Sequence, residues 1–307
     1  MNENPSIENS SQSKSSAYRI GVLLALAGTL LFSIKPVLVK VAYQYGGDVT
    51  SIMALRALTS LPFYLYILVH MCRSSENRQN VRQHGLLAVA VGILGYFFAT
   101  YLDIVALEYI SAQLERLLIF LFPTFVVLIS WMLCKQKPNR KVVSATIIGY
   151  VGIAFVVAHD LTSLGEDVLY GSGLAILSAI AFAFYLVWSK PLIAKLGSPL
   201  FTSIGMGSAG VAILIHLAFS NADIASWSIE LIAIGALLGL FCTVIPSYLI
   251  AAAMARISPT ELSLSSNIGP SITAVAAVTI LGEAFTWFHL IGMALVVFSV
   301  YQINRSK

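Results

Sequence analysis

The sequence predicts an all-α integral membrane protein with ten transmembrane helices in two inverted five-helix repeats. Three observations carry that expectation. Of the 307 residues, 58% are hydrophobic and only 10% charged, a balance that leaves too little polar surface for a water-soluble globule. The apolar residues fall into runs of about 20, the length a helix needs to cross a hydrocarbon core about 30 Å thick. Finally, the stretch from Tyr101 to Pro123 returns 147 residues later as Tyr248 to Pro270, with identities at Tyr101, Leu102, Ala106, Ile110, Ser111, Leu117 and Pro123.

Residues 1–17 are dominated by Ser, Asn, Glu and Lys, and are expected as a disordered cytoplasmic tail, not a cleaved leader. Hydropathy then predicts spans over 20–43, 50–72, 85–107, 111–133 and 142–158 in the first half. The second half is expected to cross at 171–189, 198–219, 229–255, 259–281 and 285–303. The breaks alternate in charge. Arg73, Arg78 and Arg82, then Lys135 to Lys141, Lys190 and Lys195, Arg256 and Arg305 fall on one side; Asp48, Glu108, Asp160, Asp223 and Glu283 fall on the other. Loops rich in Lys and Arg stay in the cytoplasm, so both termini are expected there.

Each half holds an odd number of spans, so the second must enter the membrane from the opposite side. Inverted repeats of that kind place a substrate site near mid-membrane, where the halves meet. The ninth span opens with Ser258, Pro259 and Glu261, the order of an N-cap, a first-turn proline and a capping-box acid. Gly235 and Gly239, four apart, allow close helix approach, inside the monomer or in a homodimer.

The chain resembles the drug/metabolite transporter superfamily in its EamA-type, ten-helix form. The resemblance rests on Ala255-Arg-Ile-Ser-Pro-Thr-Glu261, the small-residue helix to Pro270, Leu281-Gly-Glu283 and Gly292, with Ile110-Ser111, Pro123, Gly152 and Lys40 as first-half counterparts. It departs from the pattern at Lys135-Gln136, where a Gly-Glu step is expected, and at Glu115-Arg116, a place usually held by small or uncharged residues. The resemblance implies EamA-like repeats over 18–160 and 161–307. It also implies a secondary active transporter of small metabolites, an exporter in the cytoplasmic membrane working by alternating access with proton coupling or exchange. A non-transporting receptor or assembly protein on the same fold, and an exchanger of phosphometabolites or nucleotide sugars, are the alternatives.

Six charged side chains fall inside the first-half spans: Lys35, Lys40, Arg56, Asp103, Glu115 and Arg116. A charge in lipid costs several kcal/mol unless paired or wetted, so these groups should face the interior. One reading makes them a cavity for an anionic or zwitterionic solute, with Arg56 or Arg116 as anion clamp and Asp103 or Glu115 as proton carrier. The other makes them an ion-pair network, for example Asp103 with Arg116, that only locks helices. Lys40, near a helix end, could instead snorkel. Pro123 and Pro270 are hinge candidates or static kinks. Asn267 is a candidate substrate contact or a partner for a freed carbonyl. Tyr101, Tyr185 and Trp188 line a cavity or act as packing anchors.

The composition excludes other classes. The net charge of +4 is dispersed through short loops, without the basic domain that nucleic-acid binding needs. No His-Glu-x-x-His, Gly-x-Ser-x-Gly or Walker loop occurs, so an enzyme is not expected, and neither is a cofactor or metal. Cys72, Cys134 and Cys242 read as apolar filler.

Overall fold

The computed structural model describes residues 5–134, 140–220, 222–258, 261–262 and 265–305, and for 5–16, 133–134, 142, 267 and 303–305 the backbone alone. Among the described residues, eight helices are long and apolar enough to cross a membrane. They are α1 (Ala17–Gln44), α2 (Val49–Met71), α3 (Ser75–Tyr109), α4 (Ala112–Met132), α5 (Val143–Leu164), α6 (Asp167–Leu196), α7 (Ser198–Phe219) and α8 (Ile229–Arg256). Two shorter apolar helices, α9 (Gly269–Leu281) and α10 (Trp287–Gln302), complete the ten. Helix α1 continues one that begins at Pro5. Helix α3 starts ten residues before the expected 85, because its polar lead from Ser75 is built of good helix formers with Glu76 in the first turn.

The repeat is visible in which helices touch. Helix α1 packs on α8 and α3 packs on α6, two pairs that exchange when each helix is replaced by the one five places away. Helices α2 with α7, α4 with α9 and α5 with α10 pair with their own counterparts. Local geometry repeats as well. Ile110 (φ −123°, ψ 162°) and Ile257 (φ −119°, ψ 163°) end α3 and α8 in nearly the same extended conformation. The serine after each then caps the following helix, Ser111 accepting the Leu114 amide at 3.0 Å and Ser258 that of Glu261 at 3.2 Å. Ser258 completes the expected capping box, its own amide donating to Glu261 Oε2 at 2.7 Å.

Two features sit at the same offset. Helix α3 widens into a π-helical turn over Ile93–Phe98, and α8 does so over Leu240–Val244. Such turns insert one extra residue and are frequent at functional sites. Directly ahead of each stands a glycine at a helix crossing. A Cβ on Gly92 would run into the backbone of Gly205 in α7, and one on Gly239 would lie 2.9 Å from the Arg56 carbonyl in α2. Gly235 packs on Leu55, so this small-residue pair serves packing within the monomer.

Helix α4 is interrupted, and the lead into α9 is interrupted at the matching place. Helix α4 runs as Ala112–Ile119, turns at Phe120 and Leu121, and resumes as Phe122–Cys134; in the second repeat the 3-10 turn Ser266–Ile268 precedes Gly269–Ala276. Pro123 and Pro270 therefore each stand in the first turn of a new helical segment, where the missing N–H removes no helical bond. They do not kink a continuous helix.

Candidate functional site

The π turns of α3 and α8 and the breaks in α4 and α9 converge on a cavity of about 110 Å³. Its wall takes Gly95 and Tyr96 from one π turn and Cys242 and Thr243 from the other. Phe120 and Phe122 come from the α4 break, and Ser266 from the α9 break. The aromatic side is completed by Phe32 of α1 and Phe182 of α6.

Five of the expected charges line this cavity: Lys35, Arg56, Asp103, Glu115 and Arg116. Three bases against two acids leave a formal charge of +1, all of it from the first repeat. The second repeat contributes neutral groups, among them Ser178, Thr243 and Ser266. Asp103 and Glu115 are each 2% exposed and Arg56 5%, so these are charges taken out of water, which must be paired or hydrogen-bonded to be tolerated.

The pairing is only partly complete. Lys35 Nζ forms an ion pair with Asp103 Oδ2, so the acid's partner is the lysine of α1 and not Arg116, the example given for a locking network. Lys35 reaches it from the turn that Pro36 continues. Arg116 Nη2 donates to Ser33 Oγ at 3.1 Å. Its guanidinium lies against α9 because Gly269 has no side chain there; a Cβ at Gly269 would stand 2.7 Å from Nη2. Arg56 stands within Coulombic reach of Asp103. The Asp103 and Glu115 carboxyls are close enough to interact electrostatically. What remains is a set of buried atoms without a protein partner among the described residues: Asp103 Oδ1, Glu115 Oε2 and Arg116 Nε.

Hydroxyls stitch the helices around the cavity. Thr29 and Ser266 share a hydrogen bond at 2.9 Å, Thr273 Oγ1 donates to the Ser33 carbonyl at 2.6 Å, and Ser178 Oγ donates to the Ala99 carbonyl at 2.7 Å. Thr243 Oγ1 donates to the Leu238 carbonyl at 2.8 Å, satisfying a backbone acceptor that the widened turn displaces.

Four further candidates stand outside this cavity. Lys40 lies beyond it, toward Glu283 and Asp160 at the end of α1. Tyr101 sets its ring against His216 at 5.8 Å. Tyr185 is buried behind the wall, edge-on to Tyr96 at 4.9 Å. Trp188 is 40% exposed and stacks on Phe184, on the outside of the bundle. Aromatic residues of a bundle have apolar surface to bury on every side, and a polar site claims few of them. Asn267 lies in the turn Ser266–Ile268, and its side chain is outside the described residues. Cys242, expected as filler, forms part of the wall.

The two matches of the EamA-like transporter family model to this chain cover residues 19–158 and 169–305, one for each repeat. The uncharacterized transporter YcbK of Bacillus subtilis (strain 168) is 25% identical over 306 residues, covering 96% of each chain. An uncharacterized transporter of Vibrio cholerae is 26% identical over 297 residues, covering 91% of this chain and 92% of its own. One from Synechocystis is 23% identical over 314 residues, at 94% of each. A crystal structure superposes with a TM-score of 0.65 at 19% identity, over 92% of this chain and 95% of the other; at that identity the likeness is one of fold.

Proposed function

The chain belongs to the EamA-like transporter family, and from that premise we propose that it is a proton-coupled secondary transporter, an exporter of a small anionic or zwitterionic metabolite. The observation that carries this reading is the set of unpartnered buried atoms on Asp103, Glu115 and Arg116. An unsatisfied buried polar group costs about 1–3 kcal/mol, more when charged. Three on one cavity are an expense that a ligand and a proton would remove. Two carboxyls in reach of each other can share and release a single proton. Arg116 and Arg56 supply the positive charge that would hold a carboxylate or phosphate.

Alternating access in this reading uses the paired interruptions of α4 and α9 as hinges. Each break, just ahead of Pro123 or Pro270, frees half a helix to tilt while the other half stays packed. The EamA-like halves rock about the cavity, in a cytoplasmic membrane with both termini inside. The phosphometabolite exchanger is disfavoured, since a formal +1 is a small surplus for a phosphate-bearing cargo.

The test begins with metabolite profiles inside and outside cells that lack or overproduce the protein, which name the solute. Flux of that solute is then measured in liposomes with and without a pH gradient. Arg116→Gln and Arg56→Gln should lower flux at least tenfold with folded protein retained, and Asp103→Asn and Glu115→Gln should remove the response to the gradient. Full flux in both arginine variants would discard the cavity as the substrate site. Flux indifferent to the gradient in the parent protein would discard proton coupling.

A further inference from the structure

A second polar cluster lies away from the cavity, at the end of the bundle where α5 finishes and α4 and α10 begin. We propose that His159, Asp160 and His289 form a binding site for one divalent transition-metal ion of the zinc type. One ligand atom from each, an imidazole nitrogen of either histidine and a carboxylate oxygen, lies within 4.8 Å of the other two. No transport step is needed for this assignment.

The separations favour a metal over a simple hydrogen-bonded lock. His159 Nδ1 is 3.3 Å from Asp160 Oδ1, and His289 Nε2 is 3.4 Å from the same oxygen. Charge-assisted N–H···O bonds close to about 2.7–2.9 Å. Ligands held at about 2.0–2.1 Å on a tetrahedral ion stand about 3.3–3.4 Å apart. Two edges of the tetrahedron are therefore already set. The third closes by a turn of the His159 ring, the most exposed of the three at 21% against 4% for the others.

The other polar atoms of the two buried ligands are held from behind, as in built metal sites. Ser111 Oγ donates to Asp160 Oδ2 at 2.9 Å, leaving Oδ1 for the ion. Thr286 Oγ1 stands 2.9 Å from His289 Nδ1 and accepts the imidazole proton once Nε2 is on the metal. Without metal, Nδ1 can instead accept the Thr286 amide at 3.4 Å, a long hydrogen bond that the change of tautomer gives up. Glu283 is already engaged by the Ala112 amide, and Lys40 stands within Coulombic reach of both Glu283 and Asp160. Two imidazoles and one carboxylate select Zn(II), Co(II), Ni(II) or Cu(II) over Mg(II) and Ca(II), which need oxygen donors. A bound ion would tie α5 to α10 and, through Ser111, to the start of the segment that carries Glu115 and Arg116.

The experiment uses tag-free, chelator-treated protein in detergent, with Co(II) as a spectroscopic probe and Zn(II) as competitor. One Co(II) per chain should give the visible absorption of a four-coordinate site and be displaced by Zn(II), while Mg(II) has no effect. His159→Gln and Asp160→Asn should each weaken binding at least tenfold. His159→Gln, at the rim, should melt at the parent temperature without metal, which separates lost binding from lost fold. Absence of the Co(II) band together with absence of Zn(II) heat at about 100 µM overturns the proposal, as does binding that survives in both variants.

Discussion

Glu283, in the loop between α9 and α10, accepts the backbone amide of Ala112 at 2.8 Å and so caps α4 from the other repeat. The same carboxylate takes the Gln113 amide at 3.4 Å and its side-chain Nε2 at 3.3 Å. It can reach because Gly282 (φ 68°) ends α9 in the left-handed conformation and turns the chain back. At the matching joint of the second repeat, Ser258 and Glu261 cap each other. The first-repeat positions matching Gly282-Glu283 are Lys135-Gln136, which lie outside the described residues.

Replacing Glu283 with Ala removes a cap that touches the segment bearing Glu115 and Arg116. A lost cap costs about 0.5–2 kcal/mol. The melting temperature in detergent should fall, with less effect from Glu283→Gln, which keeps an acceptor. Equal melting of the alanine variant and the parent would show that the cap contributes nothing.

Lys35→Met leaves Asp103 charged and unpaired in a site where it is 2% exposed. Breaking a buried pair from one side costs about 3–5 kcal/mol. The double variant Lys35→Met with Asp103→Asn should recover most of the loss, and a double-mutant cycle on thermal unfolding measures the coupling. Additive losses would mean that the two charges are independently solvated.

Glycine positions give a paired control. Gly92→Ala drives a methyl into Gly205, backbone against backbone, and should destabilise by about 1–3 kcal/mol. Gly173, in α6, has nothing within 4 Å of an added Cβ, so Gly173→Ala should stabilise by up to about 1 kcal/mol through helix propensity. Expression level and melting temperature should move in opposite directions for the two.

Gly269→Ala should act on the site with little effect on the fold. The added methyl would meet Arg116 Nη2 at 2.7 Å and Ser33 Oγ at 3.1 Å, both of them side-chain atoms that can yield. The guanidinium must shift, and solute flux should drop several-fold while the melting temperature stays near that of the parent. Parent-like flux would show that the position of Arg116 is not critical.

Much of this architecture was readable in the sequence, because lipid imposes long apolar runs and because Ile110-Ser111 and Ile257-Ser258 mark the same joint twice. The charges around the cavity were readable for the same reason: Lys35 or Glu115 within an apolar run is too costly to face lipid and must turn inward. The partner of Asp103 was not, since α1 and α3 are far apart in sequence and nothing local selects Lys35 over Arg116. The π turns were equally hidden, because no residue type favours them strongly. Gly92 and Gly239, one at the foot of each, were the available signal. His159, Asp160 and His289 escaped because two of them are neighbours and the third is 129 positions away.

The widened turn at Ile93–Phe98 has a consequence for the direction in which Asp103 faces. In a regular helix of 3.6 residues per turn, one additional residue would rotate everything beyond it by about 100° about the axis. The wide turn takes up that residue locally, so Asp103 stays turned toward Lys35. Tightening the turn to a regular helix without shortening the chain would swing the acid a quarter-turn away, so the aim of that carboxylate is held by the bulge and by no residue of the cavity's charged set.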